Sequence, residues 1–366
     1  VNINKVTLYE VVLPLKVPFR THRGLLKERP VIIVEIEDIE GTTGYGEVTA
    51  FPTPFYTAET INTGWHMIKD VIIPSLSFEM LNEPSDFPEQ VAFIQGNQMA
   101  KAGFEGALWD VYAKQRGLSL SKLIGGVREE VEAGAVLSLT NQITRDVNKL
   151  LSEGYKRFKL KVEKGKEEEM IASVKDVYPD LPIMFDANGM YDVHDIERIK
   201  SFDSLGLLMI EQPFRAGDFY LHQQLQDRMD TPICLDESVQ SFDDAVQAIT
   251  LKSCQVINIK ISRVGGLTEA IKIHDYCKSH NIPVWCGGMV ETGISKAHNI
   301  ALSSLPDFVY PGDLSSSTRY FDKDVIEPFI EVQHGGITVP TSNGIGFSLN
   351  KEYLDQLMGK KYEYHL

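Results

Sequence analysis

Five short apolar runs in the middle of the chain each carry a charged residue near the C-terminal end. They are Phe158–Val162 with Lys159 and Lys161, Ile183–Asn188 with Asp186, Leu208–Pro213 with Glu211, Ile233–Ser238 with Asp236, and Val256–Ile261 with Lys260. From Lys161 to Asp186, Glu211, Asp236 and Lys260 the steps are 25, 25, 25 and 24 residues. A lone carboxylate at a strand end is more often a helix cap or a surface group, and a lone lysine there snorkels to solvent as often as not. Equal spacing on successive runs argues against both readings. Three carboxylates brought together raise one another's pKa unless a cation neutralises them. An all-oxygen set of Asp186, Glu211 and Asp236 suits Mg²⁺, or Mn²⁺ in its place, better than Zn²⁺, which prefers His and Cys. Lys159 and Lys161 stand two apart and share a strand face. Neighbouring ammonium groups lower each other's pKa, which makes one of them usable as a base near neutrality. Lys260, four runs further on, would address a substrate from the opposite side.

A period near 25 with helical patterning between runs is what consecutive β/α units produce. Parallel strands buried on both faces read as apolar runs, and barrel enzymes place their chemistry at the C-terminal mouth. The fold class is therefore α/β: a (β/α)7-8 TIM-like barrel over residues 126–320, its first strand near Ala133–Leu139 and its last near Phe308–Asp313. Residues 1–125 break the rhythm. Strand patterns at Ile3–Val12, Val31–Glu37 and Tyr45–Val48 precede helices near Ala58–Val71 and Met99–Arg116, the second with a small-residue face at Ala102, Gly106 and Ala113. Three strands followed by helices predict an N-terminal α+β domain. Residues 321–366 are turn-rich and strand-like, and are expected to return toward that domain. Two loops in the first domain are candidate lids over the mouth: Pro18–Pro30, with Arg20, His22, Arg23, Lys27 and Arg29 against the single acid Glu28, and the stiff aromatic run Phe51–Tyr56.

A net charge of −15 over 366 residues argues against non-specific nucleic-acid binding, whose affinity comes from Lys and Arg on phosphates. A small carboxylate substrate remains compatible, because local charge in a mouth can oppose the global sign. Cys234, Cys254, Cys277 and Cys286 show no metal-type spacing and read as buried free thiols in a reducing compartment. No charged-then-apolar leader opens the sequence and no apolar run reaches a membrane span, so no membrane association and a cytoplasmic location are expected. A homo-oligomer is also expected.

The ordered motifs Lys159-Leu160-Lys161, Asp186-Ala187-Asn188, Ile210-Glu211-Gln212-Pro213, Leu235-Asp236-Glu237-Ser238 and Asn258-Ile259-Lys260 resemble the enolase superfamily, and within it the muconate-lactonizing subgroup. The runs Val284–Gly293 and Pro311-Gly312-Asp313 are similar to those of the o-succinylbenzoate synthases and N-acylamino acid racemases. The resemblance implies a capping domain over the barrel mouth. It implies Lys161 as the base tuned by Lys159, Lys260 opposite, and Mg²⁺ on the three carboxylates polarising a substrate carboxylate; stabilising an enediolate with Mg²⁺ is a device for which this superfamily is itself the standard example. Loss of water in menaquinone biosynthesis is the first reading of the outcome, racemisation of N-succinylamino acids by the same lysines the second. Dipeptide epimerase, muconate cycloisomerase and a non-catalytic carboxylate binder are more remote. Further candidates around the substrate are Asn188, able to hold a metal-bound water, Glu237 beside a ligand, and Gly288, Met289 and Glu291 after the seventh strand. Ser138, Arg263 as an electrostatic neighbour and Arg20 in the basic segment complete the set. No histidine follows a lysine in a Lys-x-His pattern, which counts against the mandelate-racemase-like branch. Asp313 is followed by Leu314 and Ser315 rather than a second aspartate, which counts against a dipeptide epimerase.

Overall fold

A computed structural model describes residues 1–21, 24–137 and 142–366. A four-stranded antiparallel sheet opens the fold. β1 (Ile3–Thr21) and β2 (Gly24–Asp38) form a long hairpin, β3 (Thr43–Val48) flanks β2, and β11 (Met358–His365) pairs with β1 from the end of the chain. Alternation along the hairpin separates two buried faces. Val6, Leu8, Ile32, Val34 and Ile36 enter a core with the helix α1 (Gln98–Gln115), whereas Val11, Leu13, Val31 and Ile33 join the core that runs into the barrel. Helix α1 lies against β3 at backbone contact: a Cβ on Gly46 would stand 2.0 Å from the Gly103 carbonyl oxygen. The helix expected over Ala58–Val71 starts later, at Ile61, where Thr60 caps it.

Much of the basic segment Pro18–Pro30 is not a loop. The hairpin ladder continues through it, with Phe19↔Leu26 and Arg20↔Leu25 in register. The prolines are accommodated because the register slips between Pro14 and Phe19, and Pro30 faces Val12 without needing an N–H. His22 and Arg23, from the same segment, lie outside the described residues, as do Ser138 and the Arg20 side chain.

The second unit is a seven-stranded parallel sheet in sequential order: β4 (Ala135–Leu137), β5 (Phe158–Lys161), β6 (Ile183–Asp186), β7 (Ile210–Glu211), β8 (Ile233–Leu235), β9 (Val256–Ile259) and β10 (Val284–Cys286). The segment 308–313 closes it through single parallel bridges, Val284↔Phe308 on one side and Ala133↔Gly312 on the other. The eighth stave is thus a bridge rather than a full strand. The helices α2 (Leu267–Ser279) and α3 (Gly293–Ser303) follow β9 and β10. Met184, Met209, Cys234, Val256 and Trp285 fill the interior, and all four cysteines are free and buried.

Two buried carboxylates of the first unit dock it onto barrel helices. Glu105 on α1 accepts the Thr268 N–H in the first turn of α2. Glu47 on β3 accepts the N–H groups of Thr292 and Ser295 and the Thr292 hydroxyl at the start of α3. Helix N-termini favour negative charge, but burial opposes it and pushes each carboxyl up to about 7. For Glu105 only the folded state holds the proton between the ordinary value of 4.5 and about 7, so stability is lost as pH rises through that window. Glu105→Gln removes the loss. Compared with the parent, it is expected to gain roughly 1–3 kcal/mol between pH 5 and pH 8, read by urea denaturation. A difference that does not vary with pH contradicts this account.

Candidate active site

Strand register sets the height of the charges. Lys161 pairs with Asp186 and Asp186 with Glu211, and Glu211 stands opposite Cys234, two residues before Asp236. Side chains alternate along a strand, so Cys234 and Asp236 point the same way. The mouth therefore gathers Lys159, Lys161, Asp186, Glu211, Asp236 and Lys260, the six residues of the sequence pattern.

Each carboxylate is held by cations. Lys159 Nζ is 2.6 Å from Asp313 Oδ2, 3.0 Å from Glu211 Oε2 and 3.8 Å from Asp186 Oδ2, and it lies over the Trp285 ring. Lys161 donates to Asp186 Oδ2 at 2.6 Å and to Asn188 Oδ1 at 3.1 Å. Lys260 donates to Asp236 Oδ2 at 2.8 Å and to the Tyr56 hydroxyl at 2.9 Å. Arg263 is more than an electrostatic neighbour: its Nη1 donates directly to Asp236 Oδ1, and its other nitrogens hold Val239 O and Asn258 O.

The electrostatics follow from these contacts. Burial disfavours the Asp236 carboxylate, but Lys260 and Arg263 outweigh it and hold the group at about 2. Asp186 is lowered in the same way, with Lys161 and Lys159 outweighing burial. Glu211 is pushed up to about 8 by burial and then by Asp186. Glu237 rises to about 7, by burial and then by Asp236 and Asp186. The expectation that neighbouring cations lower Lys159 is corrected: burial lowers it, but Asp313, Glu211 and Asp186 together raise it. In this arrangement Lys159 is a fixed positive charge.

The donor chemistry bears on the metal. Among the described residues, no group of three or more His, Cys, Asp or Glu side chains is arranged to hold a metal ion. The reason is visible in the pairing, because each of the three carboxylates is turned toward a lysine or arginine. The donor set itself fits a hard divalent cation, being three carboxylates on neighbouring strands, Asp186 and Glu211 paired and Asp236 two residues further along. Glu237 Oε2, buried beside them, has no hydrogen-bond partner. Asn188 does not stand free for a water; it bridges Lys161 to Glu237 Oε1 at 2.9 Å. Glu291 Oε2 accepts the Met289 N–H, and Gly288 is packed so closely that a Cβ would stand 2.7 Å from Asp313 O.

Several residues at the site had no role assigned from sequence. Gln212 is fully buried, accepts the N–H groups of Asp236 and Ser238, and donates to Phe214 O and Ser238 Oγ. It thereby orients Asp236. Asn258 donates to Glu211 Oε1 at 2.9 Å. Arg157 donates to Pro311 O and lies 2.8 Å from Asp313 Oδ1, an ion pair without hydrogen-bond alignment. A polar residue inside an apolar run was the available signal for Gln212 and Asn258. Tyr56, from the Phe51–Tyr56 stretch, donates to Asp236 Oδ1 at 3.0 Å, so that stretch reaches into the mouth.

Comparison with known proteins first defines the class. Residues 142–353 match the family described as Enolase C-terminal domain-like, and residues 3–125 the Mandelate racemase / muconate lactonizing enzyme, N-terminal domain. The chain belongs to the enolase superfamily. Among its relatives, the o-succinylbenzoate synthase of Bacillus subtilis (strain 168) is 48% identical over 362 residues, 98% of each chain. The N-succinylamino acid racemase of Thermus thermophilus is 36% identical over 348 residues, 94% of each chain. A solved enolase-superfamily structure from Listeria innocua Clip11262 superposes with a TM-score of 0.96 at 40% identity, covering 100% of this chain and 99% of that one. Members of the superfamily use Mg²⁺ and act on small-molecule carboxylates. No described helix is long and apolar enough to cross a membrane.

Space at the mouth gives a direct test. A Cβ on Gly287 would stand 2.5 Å from both Asn258 Oδ1 and Lys260 Cε. Gly287→Ala is expected to displace Lys260 and lower kcat at least tenfold with only a few degrees' change in Tm. Parent kcat in this variant would show that the Lys260 position is not critical.

Proposed function

We propose that this chain is an o-succinylbenzoate synthase, eliminating water from a hydroxycyclohexadiene carboxylate to give an aromatic acid on the route to menaquinone. The observation that carries the reading is the placement of two lysines, Lys161 on β5 and Lys260 after β9, each against a different carboxylate of the same mouth. The Bacillus subtilis relative supports the choice of reaction.

Asp186, Glu211 and Asp236 would hold Mg²⁺, with Mn²⁺ as a possible substitute, and the ion when bound supplies Lewis-acid stabilisation of negative charge on the substrate carboxylate. Lys161 removes the proton α to that carboxylate. The resulting ammonium returns a proton to the departing hydroxyl on the same face, so water leaves and the base is regenerated. Lys159 keeps a positive charge beneath the site, and Lys260 with Arg263 provides positive charge on the far side. Glu237 and Asn188 hold Lys161 and its neighbourhood in place, while Gly288, Met289 and Glu291 shape the wall expected to meet the distal carboxylate. Ser138 and Arg20 remain candidates for substrate contact.

A syn elimination needs one lysine as acid and base, and here there are two. That surplus favours a second activity, racemisation of N-succinylamino acids, with one lysine removing the α-proton and the other returning it. The Thermus thermophilus relative supports it. Ser315 stands where a dipeptide epimerase would need a second aspartate after Asp313, which counts against that activity.

Chelation is expected to abolish turnover to the aromatic product and added Mg²⁺ to restore it, followed by absorbance. Asp236→Asn should need far more Mg²⁺ for the same rate. Undiminished turnover of that variant in chelator-treated buffer would overturn the metal assignment.

A further inference from the structure

Arg29 lies deep between the two units and is 1% exposed. A guanidinium has five N–H donors in a fixed fork, and here all five meet backbone carbonyls. Nη1 donates to Pro30 O at 2.9 Å and Ala50 O at 2.8 Å, and Nη2 to Thr49 O at 2.5 Å and Met289 O at 3.1 Å. Nε donates to Val290 O at 3.1 Å. The planar group also stacks on Phe51, 4.3 Å from the ring centroid. No carboxylate is among these partners. Burial pulls its pKa down to about 10, with Glu47 and Glu291 opposing at longer range.

Two of those carbonyls belong to a strained turn. Val290 has φ 54, a left-handed conformation that a β-branched residue adopts only when its surroundings impose it. The neighbouring Met289 side chain packs into the core of the first unit rather than into the barrel, although it follows a barrel strand. Its N–H is held by Glu291, and Thr292 is held by Glu47 of β3. The turn after β10 is therefore fastened to the first unit, and the same guanidinium fixes Thr49 and Ala50 at the root of the stretch that carries Tyr56.

We propose that Arg29 is a positioning residue for the substrate's distal carboxylate, clamping the Met289–Val290 turn and the root of the Phe51–Tyr56 stretch into one wall of the mouth. The proposal rests on the functional reading above. Backbone carbonyls fill Arg29's fork, and among the described residues it touches none of the mouth's lysines or carboxylates, so its loss acts on binding of the remote carboxylate rather than on proton transfer. Lysine at this position keeps the charge but has three donors on a flexible stem, and cannot reproduce the fork.

The test is steady-state kinetics of Arg29→Lys beside the parent, with an N-succinylamino acid and the matching N-acetylamino acid, which lacks the distal carboxylate. The expected result is a KM for the succinyl compound raised at least tenfold, kcat within threefold of the parent, and a collapsed preference for succinyl over acetyl. Val290→Gly added to Arg29→Lys removes the strain that the clamp restrains, and should return KM to within threefold of the parent. Parent KM in Arg29→Lys, a fall in kcat with KM unchanged, or no recovery in the double variant overturns the proposal. If Arg29→Lys does not fold, Phe51→Leu, which keeps an apolar side chain in the core but removes the ring that stacks on the guanidinium and packs on Phe55, should raise KM about threefold at unchanged kcat, and parent KM there overturns it. A parent without turnover on either compound overturns the racemase reading, and KM is then read on the synthase's own dicarboxylate substrate, where a rise of at least tenfold in Arg29→Lys is expected and the parent value overturns the proposal.

Discussion

Charge pairing in a dry mouth is the constraint on which the rest of this structure depends. Asp186, Glu211 and Asp236 are nearly or completely removed from water, Asp313 is partly covered beside them, and each is within ion-pair distance of a lysine or arginine. Removing one partner of such a pair costs about 3–5 kcal/mol, because the survivor is left charged and unsolvated. The cations are themselves anchored: Arg157 and Lys159 face Trp285, and Arg263 is tied to Val239 O and Asn258 O. The arrangement fixes the position of the lysines proposed to exchange protons. Lys161 differs from the others in being partly open, with its side chain 38% exposed, which suits a group that meets an incoming substrate.

The first unit is joined to this mouth by polar contacts aimed at backbone. Glu105 and Glu47 occupy the starts of α2 and α3, Arg29 holds carbonyls on both sides of the boundary, and His298 of α3 reaches Gly106 O on α1. Contacts of this kind depend on one relative placement of the two units, since a backbone group offers a direction as well as a charge. They give the mouth a roof of defined shape, with the Tyr56 hydroxyl hydrogen-bonded to both Asp236 and Lys260.

The charged residues of the mouth were legible in the sequence because they interrupt apolar runs at a fixed period. Such interruptions stand out where neighbouring positions are Val, Ile, Leu and Phe. The barrel itself followed from the same period, and the enolase-superfamily motifs lay within it. What was not legible depends on pairings between residues far apart in the chain. Arg29 looked like one more cation in a basic, proline-containing stretch, yet it meets the Val290 carbonyl 261 residues away. Glu47 and Glu105 sit in ordinary strand and helix patterns, and only their backbone partners on α2 and α3 give them meaning. The hairpin through Pro18–Pro30 was hidden because proline and charge both signal loops, while a register slip lets the ladder continue. Lys159 was misread in its electrostatics because the sequence shows Lys161 beside it, but not Asp313 folded back from the eighth stave.

The central claim is that Lys161 and Lys260 address one α-carbon from opposite faces. The measurement that tests it most directly is proton NMR of α-proton exchange in D₂O, with each enantiomer of an N-succinylamino acid and the Lys161→Ala and Lys260→Ala variants. The account predicts that neither variant racemises, that each still exchanges one enantiomer, and that the surviving enantiomer differs between them. Exchange of both enantiomers at the parent rate by Lys260→Ala would contradict it.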